Sequence, residues 1–354
     1  MYDVIFLDEN LETEYRAKTV DYYWRSVWYE PGEFQIQVIT DEDLDLNKCK
    51  YVVTNTKREI GVIGRWQTNS GDPGTILVSG FFMEQSLFDH CVYPTYSGKR
   101  DVWSHASRLC DSYLDDIGVN YTVTGKPSSG VISPDSLAVD YQQTGDYVCT
   151  GLYALASVYG YGVAVTKNND GIDIGIVNYH DRTGETEDEE IVLSVSFNNI
   201  KNYDVVHDLT AYKNVAVVAG AGEGSARVSE IVDISAEGEK KQTLWVDARD
   251  LSQEAEEDIA TYRERLRQRG LEKLAEHVVI DNIEVEISDE DAERIGADFN
   301  IGDIVGVAIN PLKLYYRMKI IEVEDTYNQG KRTVVLIFGS KIPTPWEKVR
   351  TLYR

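Results

Sequence analysis

Apolar and polar side chains alternate strictly through 33–39, where Phe34, Ile36 and Val38 share one parity and Gln35 and Gln37 the other. A period of two sends successive side chains to opposite faces, so this segment can bury one face and wet the other only as a β-strand. The signature recurs at short intervals. Runs at 3–7, 21–29, 51–54, 59–66 and 75–82 are punctuated by Pro31-Gly32 and by Ser70-Gly71-Asp72-Pro73-Gly74, residues that pre-set turns. Short strands at such spacing pack as a barrel or a sandwich. The stretch 1–95 is therefore expected to be almost wholly β.

Near residue 100 the period changes. Val102, His105, Ala106, Leu109, Tyr113, Leu114 and Ile117 recur at helical spacing up to Gly118, a C-terminal stop. Within that helix His105 reads as a satisfied packing residue rather than a ligand. A Pro/Ser/Gly stretch at 125–130 precedes a compact helix over 147–159 with Leu152, Leu155 and Ala156 inward. Runs at 161–166 and 172–177 then form a hairpin across Asn168-Asn169-Asp170-Gly171, a usual turn composition. Together these elements predict a small α+β domain. The acidic run 183–190 lacks the D-x-[DN]-x-[DN]-G order of a calcium loop and reads as a solvated loop.

The stretch 212–251 is a junction between strand-rich units. Val215, Val217 and Val218 lead into Gly220, Gly222 and Gly224, and a second alternating run follows through Val228, Ile231 and Ile234. A dinucleotide fingerprint would need glycine at position 225 and a helix after it; Ser225 stands there and a strand pattern follows, so the glycines read as a hairpin turn. The strand LWVDARDL, with Asp247, Arg249 and Asp250, then delivers the chain into a charged helix. Ser252 sits where an N-cap is expected, Glu254, Glu256 and Glu257 fill the first turn, and Ala255, Ile259, Tyr262 and Leu266 make one stripe. Arg263, Arg265, Arg267 and Arg269 lie toward the other end, so acids first and bases last complement the helix dipole. Strands follow at 278–287, 299–308, 314–323 and 331–338. Gly302-Asp303 and Gly339 mark tight turns, and 325–330 links the last two strands as a hairpin.

A chain of 354 residues suits two or three domains, and 42% hydrophobic residues suffice for their cores. Tyrosine outnumbers phenylalanine 23 to 8, which favours half-wet packing surfaces over one deep core. Sixty acidic residues against 35 basic ones leave a net charge of −25. That sign disfavours stable binding to DNA or an anionic membrane, since a phosphate backbone is held by clustered Lys and Arg. Cys49, Cys91, Cys110 and Cys149 share no metal or redox spacing and are expected as reduced core residues. The N-terminus has no leader signature and no window is apolar enough to span a bilayer, so a protein made in the cytoplasm with no membrane insertion of its own is expected. No G-x-S-x-G, H-E-x-x-H or P-loop is present, and His90-Cys91 is the sole close His/Cys pair. No catalytic, cofactor or metal residue is assigned.

Taken in this order, the N-terminal β unit with an aromatic hairpin, the α+β insertion, the YKNVAVVAGAGEG hairpin, the VDARDL strand and the closing F-x-x-GDIV and FG elements resemble the siphophage tail proteins related to the trimeric baseplate hub of contractile-tailed phages. The resemblance covers essentially the whole chain. It implies a mainly β fold of two tube-like β-barrel domains plus a small α+β domain: 1–95 with 203–236 as the first barrel, 96–202 as the insertion, and 237–354 as the second barrel with the charged helix. It implies a homotrimeric, pseudo-hexameric ring in a virion tail or tail-like particle, assembled in the bacterial host. One side would meet the distal ring of the tail tube and the other the tip, fibre or tape-measure proteins, with DNA passing through an acidic lumen without stable binding. Related chains often continue into a peptidase or muralytic domain; this sequence stops at Arg354, so wall-degrading activity is expected from another subunit. Two other functions compete. One is a tail-associated cell-wall or polysaccharide hydrolase, and the other a receptor-binding carbohydrate module in which Trp24, Trp28 and Trp66 stack on sugars.

Overall fold

The computed structural model describes residues 3–339 apart from 40–43, 70–71, 115–116, 125–138, 158–159, 185–189, 225–226, 254–256, 276, 278–279 and 329. The turn stretch at 125–130 and most of the acidic run at 183–190 lie outside the described residues. Six strands come first: β1 (Asp3–Leu7), β2 (Thr13–Val27), β3 (Glu33–Ile39), β4 (Tyr51–Thr54), β5 (Gly61–Asn69) and β6 (Asp72–Phe82). They are hydrogen-bonded in the order β1-β4-β5-β6-β3-β2, and β2 pairs back to β1, closing a six-stranded barrel. The alternation that announced β3 sends Phe34, Ile36 and Val38 into the barrel core, where they meet Val4, Phe6, Trp24, Val52, Val78 and Phe82. Trp24 is the hub of that core, 4.7 Å from the Phe82 ring, 5.6 Å from Phe34 and stacked on Tyr22 at 5.7 Å. Register shifts between Thr19 and Asp21 and between Ile63 and Arg65 supply the local bends that curvature requires.

The α+β elements follow: β7 (Tyr96–Arg100), α1 (Val102–Tyr113), β8 (Tyr121–Thr124), β9 (Val139–Gln143), α2 (Val148–Ser157), β10 (Gly162–Lys167) and β11 (Ile172–Val177). Asp101 caps α1 by accepting from the Ser104 amide at 2.9 Å, satisfying one of the orphan donors of the first turn. The helical stripe buries Val102, Trp103, His105, Ala106, Leu109 and Cys110. His105 shares a 2.6 Å hydrogen bond between its Nδ1 and the Tyr96 hydroxyl, a packed residue as expected. β10 and β11 form the expected antiparallel hairpin, and β8 joins β11 in parallel.

The remaining elements are β12 (Asp181–Arg182), β13 (Val192–Ser194), β14 (Ile200–Asp208), β15 (Val215–Ala219), β16 (Ser229–Asp233), β17 (Thr243–Asp247), α3 (Ile259–Ala275), β18 (Ile280–Ile287), α4 (Asp289–Arg294), β19 (Ile304–Ile309), β20 (Leu314–Asn328) and β21 (Lys331–Gly339). β20 pairs with β19, with β21 in a hairpin whose ladder runs to Asn328–Lys331, so that 325–328 extend the strand where a link was expected, and with β2 through Tyr22–Tyr327 to Val27–Glu322. Periodicity identifies such a strand but not its neighbour; here side chains specify it. Arg25 on β2 donates to both carboxylate oxygens of Glu322 at 2.6 and 2.8 Å. Buried Asp325 accepts from Lys57 and Arg332, each at 2.8 Å. Burial opposes ionisation of Asp325, but those two cations outweigh it and hold its carboxyl below the usual range. The chain forms two compact units, Met1–Asp204 with Glu284–Phe338, and a second built on Val205–Ile283. Among the described residues no helix is long and apolar enough to cross a membrane.

Candidate assembly surface

The second unit grows from the junction stretch. β15 pairs antiparallel with β16 and parallel with β17, so Ile231, Val217 and Trp245 stand in one row across the sheet. The opposite parity, Ala216, Val218, Val232 and Val246, packs on Tyr262, Leu266 and Leu274 of α3. One face is thus sealed by the helix, while Ile231 and Trp245 on the other are each 62% exposed. Arg227 lies 5.6 Å over the Trp245 ring. Its guanidinium donates to the Gly220 carbonyl at 2.6 Å, to the Ala219 carbonyl at 2.7 Å and to Asp247, which fixes the cation that supports the indole.

Each junction residue singled out from sequence has a place in this unit. A side chain at Gly220 would collide with the Tyr262 hydroxyl; that hydroxyl donates to the Leu251 carbonyl at 2.7 Å and accepts from the Ala221 amide at 3.1 Å. Gly222 and Gly224 take positive φ of 110° and 57° in the turn, which L side chains rarely adopt. Asp250 accepts from Arg269 at 3.0 Å, and that hydrogen bond lowers its pKa. Arg249 is exposed, 3.6 Å from Asp247. Gly270 was not legible: a Cβ there would come within 2.6 Å of Val232, so it lets α3 seat on the sheet. Its signal is a lone glycine inside a strong helical pattern, which implies close backbone approach.

The start of α3 corrects the expected N-cap. The helix begins at Ile259, and Asp258 rather than Ser252 accepts from the Thr261 amide at 2.8 Å. An aspartate serves as well as a serine there, and Glu257 instead binds Arg265 at 3.0 Å. Glu254 and Glu256 lie outside the described residues. The four arginines divide. Arg265 and Arg269 are committed to Glu257 and Asp250, whereas Arg263 and Arg267 are exposed.

In the first unit, Gly302 adopts φ +92° and its open side is filled by the Trp28 ring. The chain turns there, so the strand begins at Ile304 rather than at residue 299. Buried Asp303 organises the turn by accepting from the His180 amide at 2.9 Å, the Asn300 amide at 3.0 Å and Arg182 Nε at 2.9 Å. Gly339 ends β21 at φ +89°. Lys319 donates to the Gly160 carbonyl at 2.5 Å, with its ammonium 3.5 Å from the Tyr179 ring centroid and 5.5 Å from that of Trp28. Burial lowers its pKa to about 8 against the opposing pull of Asp303.

The aromatic platform proposed for sugars is not assembled by two of its three members. Trp24 is enclosed in the barrel core, and Trp28 is buried with its indole N–H donating to the Gly160 carbonyl at 3.0 Å; Trp66 is 48% exposed. Cys49, Cys110 and Cys149 are buried thiols, while Cys91 is exposed, contrary to the expectation of a core residue. Among the described residues no three His, Cys, Asp or Glu side chains are grouped to hold a metal ion. One buried acid was missed. Glu84 accepts from the Val165 amide at 2.9 Å through one oxygen and leaves the other unbonded, and burial raises its pKa to about 7.

A model of the Siphovirus ReqiPepy6 Gp37-like protein family matches residues 8–340. Among solved structures the fold is similar to the tail protein of Neisseria meningitidis MC58, with TM-score 0.60 and 13% identity over 96% of this chain and 97% of that one. It is similar to the 43 kDa tail protein of prophage MuSo2 from Shewanella oneidensis, with TM-score 0.60 and 15% identity over 95% and 98%. The prophage tail protein gp18 from Listeria monocytogenes EGD-e gives TM-score 0.56 and 12% identity over 100% and 98%. No curated protein sequence matches.

Proposed function

This chain belongs to the Siphovirus ReqiPepy6 Gp37-like protein family, and we propose that within a phage or phage-like tail it is the structural hub at the distal end. The closed six-stranded barrel, continued beyond β2 by β20 and its neighbours, carries this reading. It gives each copy a tube-like wall, and the strand set around β20 is the natural second tube element. Three copies then supply six such elements, a pseudo-hexameric ring that meets the distal ring of the tail tube on one side and tip, fibre or tape-measure proteins on the other. The net charge of −25 suits a passage through which DNA slides without adhering.

Light scattering after size exclusion, with negative-stain images of the same peak, tests the reading. The expected mass is about 120 kDa for three chains of 40.0 kDa, with ring-shaped particles. A 40.0 kDa monomer without rings counts against a self-assembling hub. Clearing of purified cell wall by this chain alone in a zymogram would favour the hydrolase.

A further inference from the structure

Three chain connections of the first unit converge beside α1 on a cleft to which the hub reading gives no role. Asn10 and Leu11 come from the β1–β2 turn, Leu114 and Ile117–Asn120 from the end of α1 and its link to β8, and Asp170-Gly171 from the β10–β11 turn. The cleft encloses about 880 Å³, within the roughly 300–1,000 Å³ of small-molecule sites. Its floor is apolar and continuous with the core. Leu11 and Leu114 are buried there, and Ile117, Val119 and Tyr121 pack half-buried against it. Its rim is polar, with Asn10, Asn120 and Asp170 exposed. The Asn120 amide donates to the Asp170 carbonyl at 3.3 Å, a tie between two of the connections that engages a donor and not the amide oxygen. The third wall is also preset. Asp8 accepts from the Asn10 and Glu12 amides, each at 2.8 Å, and Leu11 between them takes φ +63°, a left-handed conformation uncommon for leucine that its buried side chain sustains. Walls ordered in advance spare a ligand the cost of ordering them.

The lining selects a ligand by its chemistry. Among the described residues that form it there is no Lys, Arg or His, so an anion finds no counter-charge and Asp170 repels it. One carboxylate and two side-chain amides fall short of the roughly six to eight oxygens that calcium takes. A purely apolar ligand would cut the rim's polar groups off from water without replacing their hydrogen bonds. The class that suits both floor and rim is a neutral molecule with hydroxyls at its edges and C–H groups on its faces. We propose that this cleft binds a short neutral carbohydrate, its hydroxyls held by Asn10, Asn120 and Asp170 and a ring face laid on Ile117, Val119 and Tyr121. A side-chain amide donates and accepts, and a carboxylate accepts through two oxygens, which matches hydroxyls that do both. An extended peptide is the other occupant such a cleft could take. It is bound through a run of backbone partners, whereas the walls here are turns and links apart from Tyr121 at the start of β8. The inference goes beyond the hub reading and stands whether or not three copies form a ring.

The test is an array of neutral oligosaccharides, maltotriose and tri-N-acetylchitotriose among them, probed with the labelled full chain; the strongest ligand is then titrated by calorimetry in low and high salt. Saturable binding is expected, with an affinity that salt leaves unchanged because the ligand is uncharged. Asn120→Ala/Asp170→Ala should weaken it about tenfold or more. Both side chains are exposed, and circular dichroism verifies the fold. Hydrogen exchange on the unaltered chain needs no variant: the glycan should protect amides at 10–11, 117–121 and 170–171. Saturable binding of no arrayed glycan overturns the proposal. So does binding that the double variant retains, or protection confined to another surface such as that around Trp66. Binding of arrayed unglycosylated peptides instead, lost in the same variant, assigns the cleft to a protein partner and also overturns it. Light scattering of the same sample scores the ring separately, so the failure of either reading is seen by itself.

Discussion

Each of the six barrel strands has hydrogen-bonded neighbours on both sides, whereas in the second unit β16 and β17 flank β15 as the two ends of a three-stranded sheet. The barrel also buries its inner face against itself through Trp24, Phe34 and Phe82. The open sheet borrows α3 for one face and leaves Ile231 and Trp245 to solvent on the other. A closed sheet satisfies its polar backbone by geometry alone, so its stability is a matter of side-chain packing. An open one depends on what is laid over it. The first architecture suits a wall, and the second suits a place where something docks.

This contrast makes graded predictions. Trp24→Ala removes the ring around which the barrel core is arranged and should cost about 3–5 kcal/mol, read as a lower denaturant midpoint for the first unit; a loss below about 1 kcal/mol would mean the barrel does not depend on that packing. Glu84→Gln probes the charge buried in the first unit. Because its folded pKa, about 7, lies above the unfolded value of 4.5, the folded state retains the proton more tightly. The group's stabilising contribution is complete below pH 4.5 and is lost as the pH rises to about 7. Wild-type stability should therefore fall across that window by on the order of 3 kcal/mol relative to the glutamine variant; parallel pH profiles would refute the assignment. Gly270→Val should lift α3 from Val232 and Val218 at a cost of about 1–3 kcal/mol. Hydrogen exchange should register the change in α3 amides and not in the barrel, and equal deprotection of both would erase the distinction between the units.

Much of the β architecture was legible because period two and turn chemistry are local. The hairpin of β15 and β16 was readable from Val215 to Gly224, and that of β20 and β21 from their alternation and the intervening turn. Partner choice was not readable. Nothing near Tyr22 says that Tyr327 lies opposite, since the Arg25–Glu322 bond that specifies the register joins residues 297 apart. Helix ends were blurred for a different reason. Ser252 and Asp258 are both competent caps, and the choice depends on where Tyr262 must sit to reach the Leu251 carbonyl. For the candidate surface, the arginines were visible in the sequence, but the commitment of Arg265 and Arg269 depends on Glu257 and Asp250, which only the fold brings within reach.

The pairing of β2 with β20 also dictates an order of events during synthesis. One edge of β2 is shared end to end, Thr13–Lys18 with β1 and Tyr22–Val27 with β20. The second half of that edge has no mate until the ribosome has added roughly 300 more residues, about 15–60 s at bacterial elongation rates of 5–20 residues per second. For that interval the nascent barrel carries a bare strand edge bearing Arg25, whose charge makes it a poor template for its neighbours on the same polysome. The residue that later locks the register thus guards the edge while it waits.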